Sequence, residues 1–132
     1  MSKIIALSEA ASIALHSIIL IGRSEGNINV IQIAKEIGSS KHHVAKVLQR
    51  LVKDNFIVSQ RGPNGGFVLK IPANKITLLQ IYESIEGKIE ILKCPLEHKV
   101  CPFNKCIMNN VTNKIAMTFR EYLKNQTLDK YL

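Results

Sequence analysis

Residues 29–51 read NVIQIAKEIGSSKHHVAKVLQRL, and this stretch decides the fold. Its apolar positions follow the helical period on both sides of Gly38, which predicts two helices joined by a tight turn. Asn29 is the predicted N-cap of the first helix, and Ser39 or Ser40 is that of the second. In the second helix the apolar residues recur at i, i+3, i+4 and i+7, namely Val44, Val47, Leu48 and Leu51. This spacing is typical of a helix-turn-helix.

Two short apolar runs follow, at 56–60 and 67–71, and between them lies the segment Arg61-Gly62-Pro63-Asn64-Gly65-Gly66. Apolar runs around a glycine-rich segment predict a β-hairpin. Its glycines would let a narrow backbone approach a phosphate chain while Arg61 reaches into a minor groove. An ordinary surface turn can have the same composition. Its position directly after a basic helix-turn-helix favours a wing.

The flanking sequence predicts three more helices. The first begins at the cap Ser8 and ends near Gly22, and another runs from Thr77 to Gly87. A third, long helix after the last cysteine carries an apolar stripe of Ile107, Val111, Ile115, Phe119 and Tyr122. The predicted class is therefore mainly α with a small β-hairpin: a winged helix-turn-helix plus a long C-terminal dimerisation helix. Residues 1–72 would form the DNA-binding domain. Residues 73–132 would form a linker helix, a sensor loop that contains the three cysteines Cys94, Cys101 and Cys106, and the dimerisation helix.

The charge indicates the partner. Eighteen Lys and Arg face ten Asp and Glu, a formal net charge of +8. Excess lysine that only keeps the protein dissolved is the alternative to a polyanionic partner. A two-fold homodimer on a palindromic double-stranded operator matches both the charge and the apolar stripe. The residues expected to contact DNA are Ser40, Lys41, His43 and Lys46 in the recognition helix, and Arg61 and Asn64 in the wing.

Arg50 has two interpretations. It can bind phosphate, as long cations on such helices often do, or it can pair with Asp54 at i+4 as a surface salt bridge.

Several protein classes are disfavoured by what the sequence lacks. The longest apolar stretch, 13–21, is too short to span a bilayer, and the start lacks a signal-peptide pattern, so a cytoplasmic protein without membrane contact is expected. The sequence contains no nucleotide-binding loop and no catalytic constellation, which disfavours an enzyme. A cluster-carrying redox protein and a protein-protein adaptor remain as alternatives.

The three cysteines are Cys94, Cys101 and Cys106, and all lie within thirteen residues. Three thiolates on one loop can bind a soft metal or an iron-sulfur cluster, of the 2Fe-2S or 4Fe-4S type. A Cys3His zinc site and free redox-sensing thiols are the alternatives. Zinc ligands favour shorter spacings than the six residues between Cys94 and Cys101. An iron-sulfur cluster is therefore the favoured cofactor.

Taken together, these motifs resemble the IscR/NsrR family of bacterial winged-helix transcription regulators, also called the Rrf-two family. The matching pieces are Leu7-Ser8, Ala14-Leu15-His16, the wing 61–67, the three cysteines and Thr127-Leu128. The resemblance implies a dimer formed through the C-terminal helix and an iron-sulfur cluster that controls DNA affinity. It also implies DNA contacts from Ser40, His43, Lys46 and Arg61. A repressor that senses nitric oxide, iron or redox state is the expected function.

The sequence departs from the family around the fourth cluster ligand. IscR-like proteins use a histidine three positions after the last cysteine, where this chain has Asn109. NsrR-like proteins recruit an aspartate from helix one of the second subunit, and Ser12 stands there, with Glu9 one turn away. His98, inside the loop, is the local alternative. The candidates for the fourth ligand are therefore Ser12, Glu9 and His98.

Overall fold

The computed structural model describes residues 2–91, 94 and 100–132 of the chain. Within them it contains five α-helices, a two-stranded antiparallel sheet and two short 3-10 helices, Ala73–Lys75 and Leu128–Tyr131. In chain order the α-helices and strands are α1 (Glu9–Arg23), α2 (Val30–Ile37), α3 (Lys41–Lys53), β1 (Ile57–Gln60), β2 (Gly66–Leu69), α4 (Leu78–Glu86) and α5 (Val111–Lys124). The predicted mainly α class with a small hairpin is confirmed.

Local sequence signals set the starts of the first four helices. Ser8 caps α1 by accepting from a backbone N–H, and Asn29 and Thr77 open α2 and α4 with reciprocal capping boxes. Ser40 Oγ accepts from the His43 N–H at 3.1 Å and begins α3. Since an N-cap contributes about 1 kcal/mol, these polar residues fix where the helix-turn-helix starts and turns.

The start of the C-terminal helix differs from the prediction. Asn109 and Asn110 have positive φ angles of 49° and 57°, so the helical conformation begins only at Val111. Asparagine tolerates this left-handed region better than most residues. Ile107, predicted to start the stripe, therefore lies before α5. Asn113, in the first turn of α5, is buried, and its Nδ2 donates to Asn110 Oδ1 at 2.7 Å.

Helix α1 is the centre of the packing and contacts α2, α3 and α4. It runs one residue beyond the predicted stop at Gly22. A single core joins these helices, and its fully buried large side chains include Ile18, Ile33, Val44, Leu48, Leu51, Ile81 and Leu128. Burying each such aliphatic side chain contributes roughly 1.5–3 kcal/mol. The helix-turn-helix is thus held rigidly by the same core that holds α4.

The hairpin is joined to the body of the protein along its second strand. β1 and β2 pair with Ile57 opposite Leu69 and Gln60 opposite Gly66. On the other side of β2, Phe67 exchanges backbone hydrogen bonds of 2.8 and 3.3 Å with Ile28, in the loop between α1 and α2. The base of the wing is therefore fixed to that loop.

Candidate DNA interface and cysteine loop

Helix α3 presents a polar face to solvent. Val44, Val47 and Leu48 are buried, whereas Lys41, His43 and Lys46 are exposed. Ser40, His43 and Lys46 follow one another at intervals of three, so they line one face of the helix. The structure thus brings the four predicted recognition-helix residues together around the first two turns of α3.

Glu9, in the first turn of α1, lies beside this face. Its Oε1 is 3.5 Å from His43 Nδ1, and together with Lys46 these residues line a groove between α1 and α3. Both side chains are more than half exposed, so the contact contributes little to stability. It does place a carboxylate next to residues expected to meet DNA. From the sequence, Glu9 was considered only as a metal ligand.

Arg50 is held by the protein itself. Its Nε is 3.3 Å from Asp54 Oδ2, which confirms the predicted i+4 pair, and it donates to the Ser84 carbonyl of α4 at 3.0 Å. The Ser84 hydroxyl in turn donates to the Asp54 carboxylate. The C-terminal end of α3 is thereby bonded to α4, and Lys46 is the better candidate for a phosphate contact.

The tip of the wing is exposed at Arg61 and Asn64. Gly62 has a φ of +111°, and its carbonyl accepts from the Gly65 N–H at 2.9 Å, which closes the turn. Over the part of the chain that the structure describes, the Arg61 guanidinium has no hydrogen bond or ion pair. It is therefore available to an external anion.

The cysteine loop is only partly described. Cys94 is half-buried, Cys101 and Cys106 are exposed, and none of the three is in a disulfide. His98 lies outside the described residues. Among those that are described, no three His, Cys, Asp or Glu side chains are gathered closely enough to hold a metal ion.

The surroundings of Cys106 fit a thiolate. The backbone amides of Asn110, Met108 and Asn109, where the chain turns into α5, donate toward its sulfur and lower the pKa of the thiol. Thiolates that accept amide hydrogen bonds are the usual ligands of iron-sulfur clusters. The chemistry of this donor set therefore suits a soft metal or a cluster.

A second set of possible donors lies on α1, where Glu9, Ser12 and His16 share one face. His16 Nδ1 is 2.7 Å from the Ser12 carbonyl. Since a carbonyl only accepts, Nδ1 carries the hydrogen, and a neutral ring then leaves Nε2 with a free lone pair. The sequence analysis used His16 for the family resemblance and missed it as a donor, although its i+4 spacing from Ser12 was visible.

The outer face of α5 is apolar. Val111 and Tyr122, which lie on the same side of the helix, are 42% and 56% exposed. Two adjoining grooves between α5 and the N-terminal segment share Ile5, Ile115 and Phe119 in their linings. Clustered apolar surface of this kind typically marks a protein interface.

In the described part of the chain, no helix is long and apolar enough to cross a membrane.

Comparison with known proteins identifies the family. The model of Rrf2, an iron-dependent transcriptional regulator, matches residues 7–132. This chain belongs to the Rrf2 family. It is 24% identical over 125 residues to the transcriptional regulator IscR of Pectobacterium atrosepticum, an alignment that covers 95% of this chain and 73% of that protein. It is 31% identical over 104 residues to the transcriptional regulator NsrR of Oceanobacillus iheyensis, with 76% and 70% covered.

Among solved structures, CymR, the global cysteine regulator of B. subtilis, superposes with a TM-score of 0.77 at 24% identity. The superposition covers 95% of this chain and 94% of CymR, which shows a common fold. The predicted family and its DNA-binding, transcription-regulating character are confirmed. So is the prediction of a regulator rather than an enzyme.

Proposed function

We propose that this Rrf2 protein is a homodimeric repressor whose operator affinity is controlled by an iron-sulfur cluster held by Cys94, Cys101 and Cys106. The observation that carries the proposal is the physical connection between the two halves. Arg50 of the recognition helix and Asp54, the residue directly after that helix, bond to Ser84 of α4, and the cysteine loop follows α4. A change in the conformation of the cysteine loop can therefore be transmitted first to α4 and then, through these hydrogen bonds, to the recognition helix.

In the proposed complex, α3 enters the major groove. Ser40, Lys41 and His43 lie near its N-terminal end, where a recognition helix meets base edges, and Lys46 follows for a phosphate. Arg61 would enter the minor groove, with Asn64 close to the backbone. Residues 1–72 would read DNA and residues 73–132 would sense and dimerise. The two segments differ in their proposed roles and are not separate structural domains, since one hydrophobic core contains residues of both.

The dimer is proposed to form across α5 and the N-terminal segment, because these elements carry the exposed apolar surface. A second copy of the same face, related by a two-fold axis, would cover it on both chains. The two recognition helices would then meet two half-sites of a palindromic operator.

The three cysteines would hold the cluster through their sulfurs, and the amides at the start of α5 would hydrogen-bond Cys106. When bound, an iron-sulfur cluster supplies a group that reacts to iron supply, nitric oxide or redox state. The fourth ligand would come either from His98 or from the α1 face that carries Glu9, Ser12 and His16. If Glu9 were the ligand, it would leave His43, which lies 3.5 Å away.

A regulator with free, redox-sensing thiols is the second candidate. Cys101 and Cys106 are both exposed, and the lowered pKa of Cys106 increases its thiolate fraction. Exposed thiolates are the cysteines most readily oxidised. Bound zinc would instead protect these thiols, so metal analysis separates the alternatives.

The proposed function is tested by operator binding in two states. The protein would be purified without oxygen, and a duplex would be selected with it from a random library. Affinity for this duplex would then be compared between the protein as isolated and the protein stripped of metal. We expect the two affinities to differ by about tenfold or more, which is typical when two binding sites on a protein are allosterically coupled. Equal affinity in the two states would contradict sensing, and no selected duplex would contradict an operator-specific regulator.

The wing gives a separate prediction. Arg61→Ala should weaken operator binding by about tenfold and lower the slope of its salt dependence by about one unit, because the variant has one cationic side chain fewer in contact with the DNA. Binding would be measured by fluorescence anisotropy over a salt series. Lys70→Ala is the matched control: it removes the same charge from the base of the hairpin, where Lys70 Nζ donates to Asn55. If Arg61→Ala bound no more weakly than Lys70→Ala, the wing would have no role in DNA binding.

A further inference from the structure

We propose that Asn27 is a positioning residue of the DNA interface: it fixes the tip of the wing so that Arg61 meets the minor groove at one depth. The inference rests on the DNA contact proposed above for Arg61. Asn27 itself lies in the loop between α1 and α2, outside both the helix-turn-helix and the hairpin.

The contacts of Asn27 span the wing tip. Its Nδ2 donates to Gln60 Oε1 at 2.9 Å and to the Asn64 carbonyl at 2.8 Å. Gln60 is the last residue of β1, and Asn64 lies just before β2. The two acceptors therefore bracket residues 61–63. One amide nitrogen holds both ends of the segment that carries Arg61.

The next residue of the same loop is bonded to the wing through its backbone. Ile28 pairs with Phe67, and a Cβ built on Gly66 would lie 2.6 Å from the Ile28 carbonyl oxygen. The loop and the hairpin are therefore in close backbone contact, and Gly66 is required for it. The backbone bridge fixes the base of the wing, and the side chain of Asn27 fixes its tip.

The loop holds Asn27 in place. Gly26 has a φ of +89°, a conformation that L side chains rarely adopt, and the Ser24 hydroxyl donates to the Asn27 carbonyl at 3.2 Å. Asn27 is half-buried, so its amide is partly shielded from competing water. Because α1 ends just before this loop, the wing tip takes its position from α1, which also packs on α3. The distance between Arg61 and the recognition helix is thereby set.

Without this tether, a two-stranded hairpin with an exposed glycine-rich tip would sample several orientations. Arg61 would then lose part of its minor-groove contact, since ordering the tip on binding costs affinity. The contribution of Asn27 to DNA affinity should therefore be exerted through Arg61.

The test is a double-mutant cycle on the full chain. Asn27→Leu removes both donors at similar size and without adding charge. We expect it to weaken binding to the selected operator by about threefold in the otherwise unaltered protein, a part of the loss expected for Arg61→Ala. In the Arg61→Ala background we expect no further loss. Preference for A·T over G·C base pairs flanking the operator reports contact with a narrow minor groove. We expect this preference to decline both in Asn27→Leu and in Arg61→Ala.

Gln60→Leu removes one of the two acceptors and serves as the second variant. It should give a smaller loss in the same direction, and it keeps the test decisive if Asn27→Leu does not fold. Thermal melting of every variant reports the fold. An equal loss in both backgrounds, or no loss in either, would overturn the positioning role of Asn27. Unchanged binding by Arg61→Ala alone would instead overturn the wing contact and this inference with it.

Discussion

Cys101→Ala should give a colourless protein whose operator affinity no longer depends on iron, nitric oxide or oxidants. Loss of one of three thiolates leaves too few protein ligands for a cluster, since Cys94, Cys101 and Cys106 are the only cysteines of the chain. The variant should bind the operator as the metal-stripped protein does. We expect that affinity to differ from the affinity of the cluster-loaded protein by about tenfold or more. Visible absorption and anisotropy titrations under anaerobic conditions give both quantities.

Asn104→Ala is the control for Cys101→Ala. Asn104 is exposed in the same loop, between the second and third cysteines, and carries no thiol. The Asn104→Ala protein should retain the visible colour, and its operator affinity should still change when the metal is removed. Retained cluster absorption in Cys101→Ala would contradict the ligand assignment. Loss of the cluster with unchanged operator affinity would contradict the sensing role.

Ile115→Glu should convert the dimer to a monomer and lower operator affinity by more than about 100-fold. Ile115 lines both grooves between α5 and the N-terminal segment, so a carboxylate there would be buried without a partner in the proposed interface. A monomer would bind one half-site and lose the effective concentration that links the two. Sedimentation velocity gives the mass, and operator titration gives the affinity.

Two further variants complete the dimer test. Lys124→Gln changes the charge by the same one unit at an exposed position away from the apolar stripe, and it should remain dimeric. Val111→Glu places a carboxylate in the first turn of α5, where the helix dipole favours it, at a residue 42% exposed. It should also weaken the dimer without harming the fold. Dimers in both glutamate variants would show that α5 does not form the interface.

The starts of the first four helices were predictable because their signals are local. Ser8, Asn29, Ser40 and Thr77 each bond to amides within their own first turn, and Gly38 ends α2 with a φ of +68°. Capping and the 3.6-residue period depend on neighbours within four residues. A single sequence contains that information.

Two of the features that were missed depend on distant residues. Asn27 bonds to residues 33 and 37 positions away, and Glu9 meets His43 only after α1 packs on α3. The late start of α5 comes from two successive asparagines with positive φ, which periodicity does not reveal. For the cysteine loop, the sequence predicts the donor chemistry but not its geometry, since metal sites commonly take shape only when the metal binds.

The proposed cofactor is tested most directly by purifying the full chain without oxygen and recording its visible spectrum together with iron, acid-labile sulfide and zinc content. The account predicts a coloured protein that contains iron and sulfide in comparable amounts, with little zinc. A colourless protein that contains one zinc per chain, or three free thiols and no metal, would contradict the cluster.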